Sequence, residues 1–421
     1  MKRKHIYVLI VACIILVLAY AGIKFQKPSS GESELSQKLN AFVEEALQKE
    51  LFPGAVLLVA EKGVILHRRA YGHARRYDYG PVELPRPEAM SPDHLFDVAS
   101  LTKVFATTFG IMLLVDRGEI ALDDFVHTYL DGFAAGEKRN IRIRHLLRHR
   151  AGLASWKPVY YHAANREEAL AYISKLPLRY PVGSVRHYSD LGFMILGYLI
   201  EEITGTSLDR YLAENLYEPL GLARTTFNPL DRGYKKLVAT SHGNPFERRT
   251  VADDSFEDRC DEDPGAFQKW RRYTLRGEVN DGNAFYAHGG VAGHAGLFST
   301  VDDLKILTDL LINGGSLGKQ SYIRPETVAA FLQSGLGWSR NPRFIRAEGA
   351  PEGTFGHTGF TGCNVVVMPQ TKIVIILLTN RQHAGVGTGG YYPAIDQLRR
   401  TIVTTVLEGV DLLHSSPLTC R

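Results

Sequence analysis

Ser100-Leu101-Thr102-Lys103 sets a hydroxyl and an amine three residues apart, ahead of an apolar run to Val115 that reads as a helix. Residues three apart are neighbours on one helical face, and the positive end of a helix favours a developing alkoxide. The pairing makes a serine nucleophilic without a histidine base. Four residues alone prove little, since roughly one or two Ser-x-x-Lys matches arise by chance in a chain this long. A second copy, Ser316-Leu317-Gly318-Lys319, follows Asn313-Gly314-Gly315 and reads as a surface turn.

The first copy has chemical company downstream. Tyr188-Ser189-Asp190 precedes an apolar stretch, and His357-Thr358-Gly359 precedes the strand-like Asn364 to Met368. A Tyr-x-Asp also occurs at Tyr129-Leu130-Asp131, where no helix start accompanies it. These three elements, in this order, resemble the serine β-lactamase and penicillin-binding protein superfamily, which carries Ser-x-x-Lys, then Tyr/Ser-x-Asn, then Lys/His-Thr/Ser-Gly. Arg144 to Leu153 and the Gly-rich Gly289 to Thr300 extend the likeness to the class C β-lactamase-like branch. Within it, the penicillin-binding-protein-4B-like DD-carboxypeptidases are the nearest pattern.

The resemblance implies that Ser100 is acylated and that Lys103 and Tyr188 activate it. The backbone N–H groups of Ser100 and Phe360 would form the oxyanion hole. Asp190, His357, Thr358, Gly359 and Phe360 would meet the substrate. It implies no metal or organic cofactor, a peptidoglycan-derived peptide or small ester or amide as substrate, and β-lactams as acylating ligands. Two departures matter. Asp190 stands where the pattern has Asn; ionised, it would keep Lys103 protonated and shift base duty to Tyr188. His357 stands where β-lactamases have Lys, and a neutral imidazole anchors a carboxylate less strongly. Arg381, after a strand, is a candidate for the missing positive charge. The resulting expectation is an exported D-alanyl-D-alanine carboxypeptidase-like hydrolase. An esterase or β-lactamase-like amidase is the alternative, and a non-catalytic tethered binding module the contrasting one.

The elements that must position these residues follow from the rest of the chain. Its 421 residues, 45% hydrophobic and 22% charged, suit a globular fold, and a net charge of +4 with no basic aromatic stripe names no nucleic-acid partner. Lys2-Arg3-Lys4 before the apolar Ile6 to Ile23 predicts an export signal or membrane anchor over residues 1–24, with 25–32 as linker. The basic end favours an extracytoplasmic hydrolase domain over 33–421. A helix from Leu35 and two strands around Glu61-Lys62-Gly63 open it; a hairpin around Pro369 and a helix from Ala394 close it. The expected fold is therefore α+β, an antiparallel sheet built from both chain ends, flanked by helices, with a mostly helical insertion over about 100–335. Thr300 and Asp303 form a helix cap. His73 to Pro92, rich in Tyr, Pro and Arg, reads as a long loop, and Asp253 to Asp263 as a solvated acidic loop rather than a calcium site.

Four cysteines, at 13, 260, 363 and 420, have no metal-ligand spacing, and Cys363 reads as a small core residue. His145 and His149 read as helix-end packing, and His288 and His294 as loop structure.

Overall fold

Alternation with period two decides the sheet. In β1 (Gly54–Glu61) Val56, Leu58 and Ala60 face one core while Ala55, Leu57 and Val59 face another, so the strand reads as continuously apolar and is buried throughout. The computed structural model describes residues 32–253, 255, 256, 258, 260–340 and 349–415. The expected N-terminal signal or anchor, together with Cys13 and Cys420, lies outside them. Before β1 comes α1 (Glu34–Gln48), whose N-cap Ser33 accepts from the Ser36 N–H. After it, β2 (Val64–Asp78) and β3 (Val82–Ala89) are followed by the short β4 (Phe96–Asp97).

The central part of the chain is helical. A 3-10 turn, Ala99–Leu101, and a π-type turn, Lys103–Thr107, lead into α2 (Thr108–Asp116). Then come α3 (Ile143–Leu147), α4 (Asp190–Thr204), β5 (Leu297–Ser299) and α5 (Val301–Ile312). The Thr300 side chain caps α5 by accepting from the Asp303 N–H at 3.3 Å. The chain returns to the sheet with β6 (Ser339–Arg340), β7 (Phe355–Thr358), β8 (Asn364–Met368) and β9 (Ile373–Thr379), and ends in α6 (Asp396–Ser415).

The main sheet runs β6-β7-β8-β9-β1-β2-β3, and β9 pairs antiparallel with β1 from Ala55↔Thr379 to Glu61↔Ile373. Strands from both chain ends therefore lie side by side, as the two terminal hairpins predict. Helices α1 and α6 pack together on one face over Leu39, Val43, Ile402 and Val406. On the other face, Val365, Val374 and Ile376 join the helical region in a larger core. Among the described residues, Ala99–Asp116 is long and apolar enough to cross a membrane, but it is mostly buried inside this core.

Two expectations are corrected. His73 to Pro92 is not a loop: β2 continues to Asp78 and pairs with β3, with register shifts near His73 and Arg75. Pro85 and Pro87 are tolerated because β3 is the edge strand, where a missing N–H breaks no ladder. The His383 ring supports the hairpin by accepting from the N–H groups of Arg76 and Tyr77 at 3.0 and 3.1 Å. In the acidic segment Asp258 is buried rather than solvated, pairing with Arg179 and His187 and accepting from the Ser155 N–H. The Ser316 motif forms the expected turn, between two-residue strands. Cys363 is a fully buried core thiol.

Burial of histidines makes the fold sensitive to acid. Burial holds His67 and His288 down at about 4 and His357 and His383 at about 3, and holds His149 well below its ordinary range. A base whose folded pKa is depressed stabilises the fold above its unfolded value and loses that contribution as pH falls through the window. The unfolding free energy should therefore fall as pH drops from 6.5 towards 4, by about 1.4 kcal/mol per pH unit for each such histidine, and the melting temperature with it. Calorimetry over this range checks it; a flat profile contradicts it.

Candidate active site

The turn that carries Ser100 is held by a buried carboxylate. Asp97, at the end of β4, accepts from the Ala99 N–H at 2.8 Å and from the Asn280 N–H at 2.6 Å. Ala99 takes φ +47, a left-handed conformation unusual for a residue with a side chain, so Ser100 projects from a strained turn. Burial raises the Asp97 carboxyl to about 6 against the pull of those two N–H groups. The Asp97 carbonyl also accepts from Thr361 Oγ1 at 2.9 Å, tying this turn to the one after β7. Nothing in the local sequence marked Asp97, because both of its side-chain partners depend on the folded backbone.

Lys103 lies one turn on, fully buried, and the π-type turn sets its direction. Thr108 sends its backbone N–H and its hydroxyl to the Lys103 carbonyl. The expected regular helix from Ser100 is thus replaced by two irregular turns, a common device at functional sites. Lys103 Nζ donates to Ser100 Oγ at 2.9 Å and to the His294 carbonyl at 3.0 Å, and pairs with Asp190 Oδ1 at 2.7 Å. Two of these are hydrogen bonds and the third is a buried ion pair.

Tyr188 and Asp190 flank the start of α4. The Ser189 hydroxyl between them caps the helix, accepting from the Gly192 N–H at 3.2 Å and donating to the Ala154 carbonyl at 2.6 Å. Asp190 sits in the first helical turn, where the dipole favours a carboxylate. Lys103 Nζ lies 5.2 Å from the Tyr188 ring centroid, and Ser100 and Lys103 both lower the proton affinity of the phenol. Behind it His149, at φ +54, sets its ring 4.5 Å from that of Tyr188 at a tilt of 33° and accepts from the Ser189 N–H at 3.1 Å. The expected helix-end packing of His149 is therefore also the back wall of the site.

Charge settles the resting protonation. Burial alone would lower Lys103, yet Asp190 and Tyr188 outweigh it and hold the ammonium above its ordinary 10.5. Burial raises the Tyr188 phenol and Asp190 raises it further, opposed by Lys103. Lys103 is therefore the donor to Ser100 at rest, and Tyr188 rests as a neutral phenol that can act as a base only after it loses its proton; the set titrates as one. Asp190→Asn removes a charge that raises both groups. The basic limb of the pH–rate profile should then move down by roughly one unit or more, measured as kcat/KM from pH 6 to 10. An unmoved limb contradicts this arrangement.

β7 supplies the opposite wall. His357 is buried, held neutral by burial and the nearby Lys103, and its Nδ1 lies 2.8 Å from the Thr358 carbonyl. Gly359 is required sterically: a Cβ there would stand 2.4 Å from the Val98 carbonyl oxygen. Arg381 reaches the cleft, but its Nη2 donates to the Phe360 carbonyl at 2.6 Å and its Nη1 to the Pro393 carbonyl at 3.3 Å. It braces the turn that carries the Phe360 N–H.

Ser100, Tyr188 and Phe360 stand between two chambers. One, about 1100 Å³, is lined by His357, Thr358, Gly359, Arg381 and further arginines. The other, about 260 Å³, is lined by Trp156, Phe246, Phe256, Asp190, Glu247 and Asp281, among others. All the expected site residues therefore converge on one cleft. His294 contributes its carbonyl to Lys103 and its ring to Asp281 at 2.9 Å; His145 and His288 serve local structure.

A family model described as Beta-lactamase matches residues 39–398. The chain belongs to the beta-lactamase family. Among curated relatives, an "N-acetylmuramyl-L-alanine amidase" of Bacillus subtilis is 36% identical over 84% of this chain and 83% of its own length. A "Putative D-alanyl-D-alanine carboxypeptidase" of Escherichia coli K12 is 34% identical over 92% of both chains. Among solved structures, "A class C beta-lactamase" has a TM-score of 0.65 at 18% identity, covering 91% of this chain and 98% of its own. EstCE1, "a hydrolase with promiscuous acyltransferase activity", has a TM-score of 0.64 at 22% identity, covering 89% and 100%. The beta-lactamase family fold, α+β with an antiparallel sheet, is thus shared, and the chain is a hydrolase of the serine beta-lactamase and penicillin-binding protein superfamily.

Proposed function

We propose that this beta-lactamase family member is an exported serine hydrolase that cuts an amide bond in a peptidoglycan-derived peptide through an acyl-enzyme on Ser100. The observation that carries this reading is the contact of Ser100 Oγ with Lys103 Nζ at 2.9 Å, with the Tyr188 ring centroid 5.2 Å from that ammonium. In the phenolate form, which the Lys103 ammonium favours, Tyr188 takes the Ser100 proton as Oγ attacks the carbonyl carbon. The Ser100 and Phe360 N–H groups hold the oxyanion, Tyr188 returns the proton to the leaving nitrogen, and water then releases the acyl group. Export rests on the N-terminal basic and apolar segment and on the cell-wall names of the relatives. An N-terminal tether to the membrane and acylation by β-lactams belong to the same reading.

The D-alanyl-D-alanine bond is the first candidate for the cut, as in the name of the Escherichia coli relative. A second reading, cleavage of the N-acetylmuramyl-L-alanine bond, is favoured by the neutral, buried His357, which offers no ammonium to a terminal carboxylate. Incubating the protein with both substrates and analysing the products by mass spectrometry separates the two. Ser100-dependent release of D-alanine supports the first, and of an L-alanyl peptide the second. Cleavage of neither overturns the amide-hydrolase proposal.

A further inference from the structure

The two chambers beside Ser100 differ in charge. Among the described residues that line the larger one, Arg148, Arg150 and Arg186 stand with no aspartate or glutamate. None of the three makes an ion pair with a described residue; Arg150 spends one N–H on the Gly183 carbonyl at 3.3 Å. Arg150 and Arg186 repel each other, and the Arg186 charge reaches Tyr188, His149 and His357. The backbone beneath them is fixed: the Gly183 N–H donates to the Arg150 carbonyl at 2.8 Å, and the His187 N–H to the His149 carbonyl at 2.8 Å. Like charges on one frame beside a reacting centre, without an ion pair to a described residue, suit an anion.

The smaller chamber offers no such cations: its described lining has no lysine or arginine and includes five aromatic rings with Asp190, Glu247 and Asp281. Asp190 pairs with Lys103, Asp281 pairs with His294, and burial pushes the Glu247 carboxyl up to about 8, so the chamber carries little free charge. A carboxylate entering it meets acids and apolar surface, whereas an uncharged ring system finds stacking faces.

We propose that Arg148, Arg150 and Arg186 form a subsite for the half of the substrate that carries two or more carboxylates, while the aromatic chamber takes an uncharged half. The proposal rests on the amide-hydrolase reading of Ser100 and sharpens it. An amide that joins an uncharged sugar acyl group to an acidic peptide divides the charge this way, whereas a D-alanyl amide has carboxylates on both sides of the cut.

The test is binding to the full-length Ser100→Ala protein, which needs no turnover. Calorimetry with N-acetyl-L-alanyl-D-glutamate and its diamide, at low and at physiological salt, gives a preference ratio. The dicarboxylate should bind more tightly, by about fivefold for each arginine engaged, and the preference should shrink as salt rises. Arg150→Gln and Arg186→Gln should each lower the ratio, and the pair should remove most of it. Because the diamide reports on the same variant, a folding defect cannot mimic a change in ratio. Equal binding of the two ligands, or a ratio unchanged in the double variant, overturns the subsite. Loss of hydrolysis in Ser100-intact protein bears on the catalytic reading instead, so the two failures are distinct.

Discussion

Ser100→Ala is expected to lower kcat/KM for any ester or amide substrate by about 10⁴-fold or more, the scale seen when a nucleophile is deleted from a catalytic unit. The loss should come without a loss of fold. The turn around Ser100 is held by backbone groups: the Ala99 N–H on Asp97, the Val98 N–H on the Leu297 carbonyl, and the Leu297 N–H on Thr102 Oγ1. None of these uses the Ser100 hydroxyl. Steady-state kinetics with a nitrophenyl ester, with melting measured on the same sample, checks both halves. A variant that keeps more than about a hundredth of the activity would remove Ser100 from the chemistry.

Lys103→Met should be costly in both activity and stability, for different reasons. It removes the ammonium that tunes Tyr188 and contacts Ser100, and a loss of about 10³-fold is expected for one member of a coupled catalytic set. It also leaves the Asp190 carboxylate facing an apolar side chain. Deleting one partner of a buried ion pair costs about 3 to 5 kcal/mol, and the low end applies because Asp190 keeps 18% of its side chain exposed. The second effect should be reversible by design: Lys103→Met with Asp190→Asn removes both charges and should recover much of the stability while leaving the protein inactive. The sign with pH is fixed as well. Lys103 is held above its ordinary 10.5, so its contribution is whole below that value and is lost only as pH rises through the folded pKa. The stability gap between wild type and Lys103→Met should therefore be level from pH 6 to 9, read by denaturant unfolding. A gap that closes within that range, or a double variant no more stable than the single, contradicts the buried pair.

Much of this site is legible from short motifs because each motif marks a backbone junction. Ser100 follows β4, Tyr188-Ser189-Asp190 is the cap of α4, and His357-Thr358-Gly359 ends β7. Ends of elements carry strong local signals: a capping serine, a glycine where backbones touch, a change of hydrophobic period. The sheet was readable for the same reason, since β8 and β9 are apolar on both faces with a turn between them. What stayed hidden depends on contacts between distant segments. Asp97 gains meaning only when Asn280 donates to it, and His149 only when Tyr188 packs against it. The proline-bearing β3 looked like a loop because its pairing comes from β2 and its position at the sheet edge, not from its own residues. Arg148 and Arg150 lie in the Arg144 to Leu153 segment, where their spacing alone marks no ligand; the folded cleft brings Arg186 beside them.

The central claim is that Ser100 becomes covalently acylated. It is tested most directly by intact-mass spectrometry of the wild-type protein and Ser100→Ala, each incubated with a fluorescent penicillin or acid-quenched while turning over a nitrophenyl ester. The account predicts a mass increase equal to the acyl group on the wild type, mapping to the peptide that contains Ser100, and none on Ser100→Ala. No adduct from either reagent, with hydrolysis unchanged in Ser100→Ala, would contradict it.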